Sequence, residues 1–433
     1  MNSFYEVLIV VQKYISDEYS SLLDSSANKE LLKSYIEHYI SKENLYVDGY
    51  SKEKLTIRIL NEMTAYSFLT EYLGRDDVEE ININSWEDVK ITFSSGEIKS
   101  IKETFQNTQH AIDIVRRMLR DSNMVWDNAT PIQVGHLPGN IRITVIGFDI
   151  VDKDKALSVS IRKVNPKKLQ KEDFVKSNTA TDEMLEMLKQ LYTHGVSMCF
   201  TGATGSGKTT LLSWILSGVP YDKRLVTIEQ GTREFDCTVK DESEKTLNSV
   251  IHLSTRYSDN EKQNITQIKL LETIMTMNPD YIAVGESKGE EAMQTINAAN
   301  TGHSVVTTTH ANSCEDTYFR FISLCKLKYP NMNESLLQTL AVRAFPIVVY
   351  IKKLEDNSRK ILKITEAVHG DNGNVEYVTL YRYVITEMEN GIIKGHFEKV
   401  NNISEQLKER LIENGIKPTE ILKLFNNNKV DFK

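Results

Sequence analysis

A glycine-rich segment near the middle of the chain constrains the fold most. Val196–Phe200 is a short apolar run typical of a strand, Gly202–Thr209 reads GATGSGKT, and Thr210–Leu216 is typical of a helix. Glycines allow successive backbone N–H groups to turn toward an anion, and the N-terminus of the following helix adds positive potential. The spacing G-x-x-x-x-G-K-[ST], in this strand–turn–helix context, therefore predicts a phosphate-binding loop.

Two side chains of this loop have predicted chemical roles. Lys208 is expected to reach the β- and γ-phosphates of a nucleotide, and the hydroxyl of Thr209 is expected to ligate Mg²⁺. The other residues predicted to surround the phosphates are Gly202, Ala203, Thr204, Gly205, Ser206, Gly207 and Thr210. The sequence therefore predicts ATP and Mg²⁺ as cofactors.

Composition narrows the class of protein. Of the 433 residues, 40% are hydrophobic, which excludes a mainly disordered chain. The net charge of −8 argues against a protein that binds nucleic acid over its whole surface. At roughly 100–200 residues per domain, the length suggests two or three domains. We find no signal peptide and no apolar run long enough for a membrane span. The four cysteines form no CxxC pair, so we expect reduced thiols and a cytoplasmic location.

Two further predicted strands end in carboxylates. Asn278–Glu286 is an apolar strand that ends in Gly285-Glu286, and Leu225–Glu229 ends in a second glutamate. Because the carboxyl ends of parallel strands share one edge of a sheet, Glu229 and Glu286 are expected to face the γ-phosphate and its Mg²⁺. Glu286 is the candidate general base, and Glu229 is a candidate metal ligand. The alternative for each is a solvated carboxylate at a strand end.

Three basic or titratable side chains complete the candidate site. Val305–Thr309 is a predicted strand with His310 at its end, where an imidazole could hydrogen-bond the γ-phosphate. Arg142 and Arg162 lie upstream, in a region of α+β character. Each could be an ordinary surface residue, but a nucleotide between two domains requires guanidinium groups from the domain that lacks the loop.

The pattern of apolar residues predicts an α/β protein with several parts. Helical periodicity over 1–74 predicts a helical N-terminal extension, and its third helix, capped by Ser51, is expected to run to about Gly74. An α+β domain is predicted over 75–163, with a hairpin turn at Ser95–Gly96, and a linker over 164–180. Residues 181–433 alternate strands and helices and then become β-rich and helical, with hairpin turns at Asp371–Gly373 and Asn390–Gly391. The alternation predicts a mostly parallel sheet covered on both faces.

Four motifs in this order resemble one family. GATGSGKTT, VTIE, LLETIMTMNPDYIAVGES and TGHSVVTTTHANS, with an upstream DVEEININ, are similar to the hexameric ATPases of type II and type IV secretion, pilus assembly and conjugation. The likeness runs from about Tyr72 to Phe345 and is greatest to the CpaF/TadA branch. It implies an α+β N-terminal domain joined to a RecA-like ATPase domain, a ring of six subunits and ATP at the domain junction. By motif it makes Gly202–Thr209 the Walker A loop, Glu286 the Walker B glutamate, Glu229 the acidic-box carboxylate, His310 the histidine box, and Arg142 and Arg162 the phosphate-facing arginines.

The chain departs from the family pattern in three places. The acidic box reads Glu229-Gln230 where the family has Glu-Asp, and this leaves the role of the nearby Glu234 open. The usual Gly-Glu-x-Arg-Gly reads Gly285-Glu286-Ser287-Lys288-Gly289, and a lysine cannot make a bidentate contact as arginine does. The four-cysteine zinc module of many type II secretion ATPases is absent from the sequence, so no zinc is expected.

The resemblance implies an ATP-driven motor for pilus assembly or protein secretion. Such a motor would act as a homo-hexamer, peripheral at the cytoplasmic face of the membrane, on an inner-membrane platform protein. A conjugative traffic ATPase is the alternative within the family. A RecA-like nucleic-acid motor is disfavoured by the negative charge, a small-molecule kinase would not need the His310 stretch, and a non-catalytic scaffold would not need Lys208, Thr209 and Glu286. The sequence does not identify the transported substrate.

Overall fold

The computed structural model describes residues 3–22, 28–139, 141–152, 154–163, 169–231, 233–256, 261–370, 374–389 and 391–425. The chain forms two compact units, which divide between Lys167 and Lys168. This division falls inside the predicted linker 164–180, although Lys171–Lys176 of that interval form a helix. Within the described ranges, no helix combines the length and the apolar character that crossing a bilayer requires.

The first unit consists of N-terminal helices followed by an antiparallel sheet with one helix packed on it. Its helices are α1 (Phe4–Tyr19), α2 (Lys29–Lys42), α3 (Lys52–Thr64), α4 (Leu69–Gly74) and α5 (Thr108–Arg120). Its strands are β1 (Val78–Ile83), β2 (Val89–Phe93), β3 (Ile98–Ser100), β4 (Ile132–Leu137), β5 (Ile141–Gly147) and β6 (Leu157–Lys163), in the sheet order β3-β2-β1-β6-β5-β4.

The third helix begins as predicted but ends early. The Ser51 hydroxyl caps α3 by accepting from the backbone N–H of Lys54, which confirms the predicted N-cap. The predicted continuation to Gly74 is wrong, because α3 ends at Thr64 and α4 is a separate helix. Ser67, between them, has a positive φ of 59° and donates from its hydroxyl to the buried carboxylate of Glu62 at 2.7 Å. This buried hydrogen bond holds the turn that interrupts the helical pattern.

Alternating burial explains the strands of the small sheet. The period-two patterns of β1 and β2 are confirmed, and so is the turn at Ser95–Gly96, where Gly96 has a φ of 83°. Strand β4 was not predicted. It is an edge strand whose Ile132 and Val134 are exposed, so it lacks the buried alternation by which a strand is recognised.

The second unit is built around one large sheet. Its helices are α6 (Lys171–Lys176), α7 (Asp182–Thr193), α8 (Lys208–Leu216), α9 (Gln267–Ile274), α10 (Ala292–Asn300), α11 (Cys314–Lys328), α12 (Glu334–Ala344), α13 (Glu405–Glu413) and α14 (Pro418–Phe425). Its strands are β7 (Met198–Thr201), β8 (Leu225–Glu229), β9 (Val250–Ser254), β10 (Tyr281–Val284), β11 (Ser304–Thr309), β12 (Ile347–Lys353), β13 (Arg359–His369), β14 (Val375–Glu389) and β15 (Ile392–Lys399).

The strand order of this sheet confirms the predicted parallel arrangement. The order is β15-β14-β13-β12-β7-β11-β10-β8-β9, and the run from β12 to β9 is parallel. Successive residues of β7 point to opposite hydrophobic cores: Met198 and Phe200 join one with α7 and α8, whereas Cys199 joins the other with α9 to α12. Both faces are covered, which explains why the central strands are apolar along their length.

The β-rich continuation after Phe345 is confirmed as the antiparallel strands β12 to β15. The predicted turn at Asp371–Gly373 lies outside the described residues, as does Asn390 of the second predicted turn, whereas Gly391 is described and has a φ of 77°. The hydroxyl of Ser404 caps α13. The four cysteines all lie in this unit as buried free thiols.

Candidate functional site

The glycine-rich loop joins β7 to α8, as the sequence predicts. Gly202 has a φ of 145°, and a Cβ atom there would stand 2.0 Å from the backbone oxygen of Ile351 in β12. Gly205 and Gly207 also have positive φ values, of 74° and 97°. No residue with a side chain could occupy position 202 without moving the backbone of β12, so the loop has this path because of its glycines.

The predicted phosphate-binding lysine is held by the loop itself. Lys208 is buried, and its Nζ donates to the carbonyl oxygens of Gly202 at 2.8 Å and Ala203 at 2.9 Å. Ser206 is fully buried, and its hydroxyl has no hydrogen-bond partner among the described residues. A buried ammonium group beside the N-terminus of α8 gives this loop the positive potential that a phosphate chain requires.

His310 connects the loop to the predicted general base. Its Nδ1 lies 3.0 Å from the carbonyl oxygen of Gly202, and its Nε2 lies 2.8 Å from Oε1 of Glu286. The Nζ of Lys208 is 3.4 Å from the same Nδ1. The structure therefore brings together three residues that were predicted from three separate motifs.

The carboxylate of Glu286 has a cationic partner at its other oxygen. Lys288 Nζ lies 3.3 Å from Glu286 Oε2, and the two side chains are 48% and 28% exposed. An ion pair at this exposure contributes only about 0–1 kcal/mol to stability, so its main effect is on the orientation of the carboxylate. The backbone of Glu286 is also held in place, because Gln267 Nε2 donates to the Glu286 carbonyl oxygen at 3.0 Å.

Glu229 ends β8 in a buried position. Its Oε1 accepts from the backbone N–H groups of Glu234 at 2.6 Å and Phe235 at 3.0 Å, whereas its Oε2 has no partner among the described residues. Burial raises the pKa of Glu229 to about 8, although the two backbone donors oppose this rise. Glu229 also lies against Gly285, since a Cβ atom on Gly285 would be 3.3 Å from Glu229 Cγ.

These residues suit a divalent cation. Oε2 of the buried Glu229 has no described partner, and Mg²⁺ or a water molecule bound to Mg²⁺ would supply one. Thr209 is half-buried in the first turn of α8, where its hydroxyl is the other predicted ligand. The pair Thr209 and Glu229 therefore fits the chemistry of a Mg²⁺ site.

Arg142 and Arg162 lie in the first unit as a cross-strand pair. They are directly opposite each other on β5 and β6, and both are exposed. Arg162 Nε is 3.8 Å from Glu80 Oε1, and His136 stands opposite Arg142 on the other side. Like charges at directly opposed positions destabilise a sheet. The pair therefore places two guanidinium groups side by side on this face, with the carboxylate of Glu80 next to one of them.

Sequence reasoning missed one residue that contacts the loop. Arg359 begins β13, and its Nε donates to the carbonyl oxygen of Gly205 at 3.0 Å. The two residues are 154 positions apart, and no local motif surrounds Arg359. The sequence signalled only the β-rich character of this region. The contact of Lys288 with Glu286, by contrast, lies within a motif that the sequence had already marked.

A buried lysine under a glycine-rich loop, with a glutamate and a histidine at the ends of neighbouring parallel strands, defines a P-loop protein of the RecA-like class. The chain belongs to a family within that class. The model of the family "Type II/IV secretion system protein" matches residues 151–417, and this confirms the predicted secretion-ATPase superfamily. Assignment to the CpaF/TadA branch stays a prediction.

Individual relatives are similar over parts of the chain. The "Uncharacterized protein MJ0900" of Methanocaldococcus jannaschii is 26% identical over 65% of this chain and 48% of its own length. The "Type IV secretion system protein VirB11" of Brucella suis is 29% identical over 49% of this chain and 63% of its own length. The chain thus spans about half to two thirds of these curated relatives.

One solved structure supports the fold. The X-ray structure of the Yersinia pseudotuberculosis ATPase DotB has a TM-score of 0.50 to this chain at 16% identity, and 82% of each chain is covered. This likeness, with the strand order above, confirms the predicted fold class: a RecA-like α/β domain preceded by an α+β domain with N-terminal helices.

Proposed function

We propose that this protein is an ATP-hydrolysing motor that powers pilus assembly or protein secretion at the cytoplasmic face of a membrane. The observation that carries the proposal is the continuous contact from the Gly202 carbonyl through His310 to Glu286, beside the buried Lys208. His310, which contacts the phosphate loop, is thereby also in contact with Glu286, the residue that would activate water. Membership of the secretion family supports the coupling of this chemistry to transport.

In the proposed reaction, Lys208 holds the β- and γ-phosphates, and Glu286 orients a water molecule on the γ-phosphorus. The water oxygen bonds to phosphorus, the bond to the β–γ bridging oxygen breaks, and Glu286 accepts the water proton. His310, bonded to both the loop and the carboxylate, would respond to loss of the γ-phosphate. Thr209 and Glu229 would hold Mg²⁺, which supplies neutralising charge to the phosphates when it is bound.

The assembly is part of the same proposal. Arg142 and Arg162 supply guanidinium groups to the phosphates, six chains form a ring, and the ring acts on a platform protein in the membrane. Mass measurement of the purified protein with a non-hydrolysable ATP analogue tests the ring. We expect a species with the mass of six chains, and a monomer at all protein concentrations would contradict it.

A conjugative or type IV secretion role is the second candidate. The name of the Brucella suis relative, "Type IV secretion system protein VirB11", supports it. Gene neighbourhood separates the two candidates: adjacent prepilin and platform-protein genes favour pilus assembly, whereas adjacent relaxase and coupling-protein genes favour conjugation.

Replacing Glu286 by glutamine tests the proposed chemistry. The variant should bind ATP with unchanged affinity, because Lys208 and the loop remain, and its turnover should fall at least about 100-fold, because the amide cannot accept the water proton. The measurements are nucleotide binding by fluorescence and phosphate release. The matched control is Glu290→Gln on the exposed side chain four residues away, which should retain turnover. Normal turnover by Glu286→Gln would show that another residue is the base.

A further inference from the structure

Arg359 lies across the outside of the phosphate loop. Besides the hydrogen bond from its Nε to Gly205, its Cδ is 3.2 Å from the position that a Cβ atom on Gly207 would occupy. The side chain therefore follows the loop from Gly205 to Gly207, the residue that precedes α8. It reaches this position from β13, which begins at Arg359.

The backbone that carries Arg359 is firmly anchored. The buried Lys360 donates from Nζ to the carbonyl oxygen of Ser177 at 3.0 Å, and the backbone N–H of Ile361 donates to the carbonyl oxygen of Thr179 at 2.9 Å. These two bonds fix the start of β13 against the segment before α7. Arg359 also pairs with Lys353 across the β12–β13 hairpin. The guanidinium is therefore held beside the loop by ordered backbone on both sides.

The charge of Arg359 is available to a ligand. Among the described residues, neither Nη group has a hydrogen-bond or ion-pair partner. The nearby carboxylate of Asp356 is used elsewhere, since it accepts from the backbone N–H groups of Ser358 and Ile393, each at 2.9 Å. A guanidinium whose two Nη groups are not used within the protein has donors left for a ligand, and its planar shape suits stacking.

The strand order shows which part of a nucleotide would meet this side chain. In the sheet, β7 lies between β11 and β12, and its C-terminal end leads into the loop. Glu286 and His310 follow β10 and β11 on one side of β7, whereas Arg359 is on the β12 side. If the γ-phosphate faces Glu286, the phosphate chain runs toward α8 and the nucleoside leaves the loop on the side of Arg359.

We propose that Arg359 binds the nucleoside part of the nucleotide, with its guanidinium stacked on the base while its Nε stays bonded to Gly205. This inference rests on the proposed function and extends it to a residue outside the family motifs discussed above. Stacking uses the face of the base and not its hydrogen-bonding edge, so Arg359 would accept any nucleobase.

The test compares ADP with inorganic pyrophosphate, which carries the same diphosphate without a nucleoside. With the full-length protein and Mg²⁺, Arg359→Ala should weaken ADP binding about fivefold, the size expected for a partly exposed cation–π contact. Its affinity for pyrophosphate should stay unchanged. Arg359→Lys should recover the ADP affinity only in part, because an ammonium group has no planar face. The matched control is Arg382→Ala, which removes an exposed arginine of β14 that pairs with Glu398.

The other outcomes overturn the inference in distinguishable ways. Equal losses for ADP and pyrophosphate would show that Arg359 only supports the loop. An unchanged ADP affinity in Arg359→Ala would show that it does not touch the nucleotide, while the proposed function would stand. If the wild-type protein binds no ADP, the proposed function fails and this inference fails with it.

Discussion

At two positions of the candidate site, neighbouring atoms leave little or no room for a side chain, which explains why both residues are glycines. Gly202 lies against the backbone oxygen of Ile351, and Gly285 lies against the side chain of Glu229. Gly285 matches the glycine of the family's Gly-Glu pattern, and the side chain of Glu229 takes the space beside it. A larger side chain at position 285 would have to displace Glu229, so this glycine leaves room for the buried carboxylate.

Gly202→Ala should disrupt the loop. The new Cβ atom would stand 2.0 Å from the Ile351 oxygen at a φ of 145°, so either the loop or β12 must move. We expect a loss of about 2–4 kcal/mol in the free energy of unfolding, together with loss of nucleotide binding. Chemical denaturation and a binding titration measure the two effects. Gly74→Ala is the control, because a Cβ atom there has no neighbour within 4 Å, and equal stability of the two variants would contradict the prediction.

At the residue scale, the sequence predicted contacts that lie within motifs. Lys208, Glu286 and His310 were found because each follows a strand in a recognisable local pattern, and parallel strands bring such positions to one edge. Arg359 was missed because its contact with Gly205 depends on the β12–β13 hairpin, which the sequence did not place beside the loop. Contacts between distant segments require the strand order, and no local spacing encodes it.

At the scale of elements, one buried carboxylate joins two helices of the first unit. Glu62 of α3 pairs with Arg58 at 2.9 Å, and His110 of α5 lies 3.1 Å from its other oxygen. Arg117 of α5 also donates to the backbone oxygens of Glu62 and Ala65, at 2.9 Å and 2.6 Å. The end of α3, where the helix prediction failed, is therefore the point at which α5 is attached.

Glu62→Gln should weaken this attachment in a pH-dependent way. Burial favours a higher pKa for Glu62, but the hydrogen bond from His110, the charge of Arg58 and the hydrogen bond from Ser67 together lower its pKa below the usual 4.5. Its ionised form therefore stabilises the fold above about pH 4.5, and this contribution is lost as the pH falls through the lowered pKa. Near neutral pH we expect Glu62→Gln to cost about 3 kcal/mol, because Arg58 loses its buried counter-charge.

Hydrogen exchange at α3 and α5 in the full-length protein measures this effect. The difference between wild type and Glu62→Gln should be largest near neutral pH and should shrink in acid, below about pH 4.5. The control is Glu53→Gln, an exposed residue in the first turn of the same helix, which should change little at any pH. A difference that stays constant with pH would show that the charge of Glu62 contributes nothing.

Two strands that the sequence failed to predict share a physical cause. Strands β4 and β9 are edge strands, and neither shows the burial of the central strands on which pattern recognition depends. The central strands β7, β8, β10 and β11 are buried along their length and were all predicted. A strand that is buried on both faces is a continuous apolar run that is easily recognised in the sequence. An exposed edge strand has a weaker pattern of apolar residues.

At the scale of the whole molecule, the predicted chemistry is divided between two compact units. The phosphate loop, Glu286 and His310 belong to the second unit, and the cross-strand pair Arg142 and Arg162 belongs to the first. Each unit has its own hydrophobic core. If the proposed function holds, a change in the first unit should abolish ATP turnover while the phosphate loop and both cores stay intact.

Arg142→Ala tests whether the first unit contributes to the chemistry. ATP turnover should fall, whereas the free energy of unfolding should not. Removing one of two directly opposed guanidinium groups relieves a like-charge repulsion, so the free energy of unfolding should stay constant or rise slightly. Turnover should fall about 10- to 100-fold with a modest loss of nucleotide affinity, because the phosphates lose a charge that acts mainly in the transition state. Thermal unfolding and phosphate release measure the two effects on the full-length protein. The control is Arg120→Ala, at an exposed arginine of α5, which should leave both unchanged. If Arg142→Ala retains full turnover, the arginine pair does not serve the nucleotide.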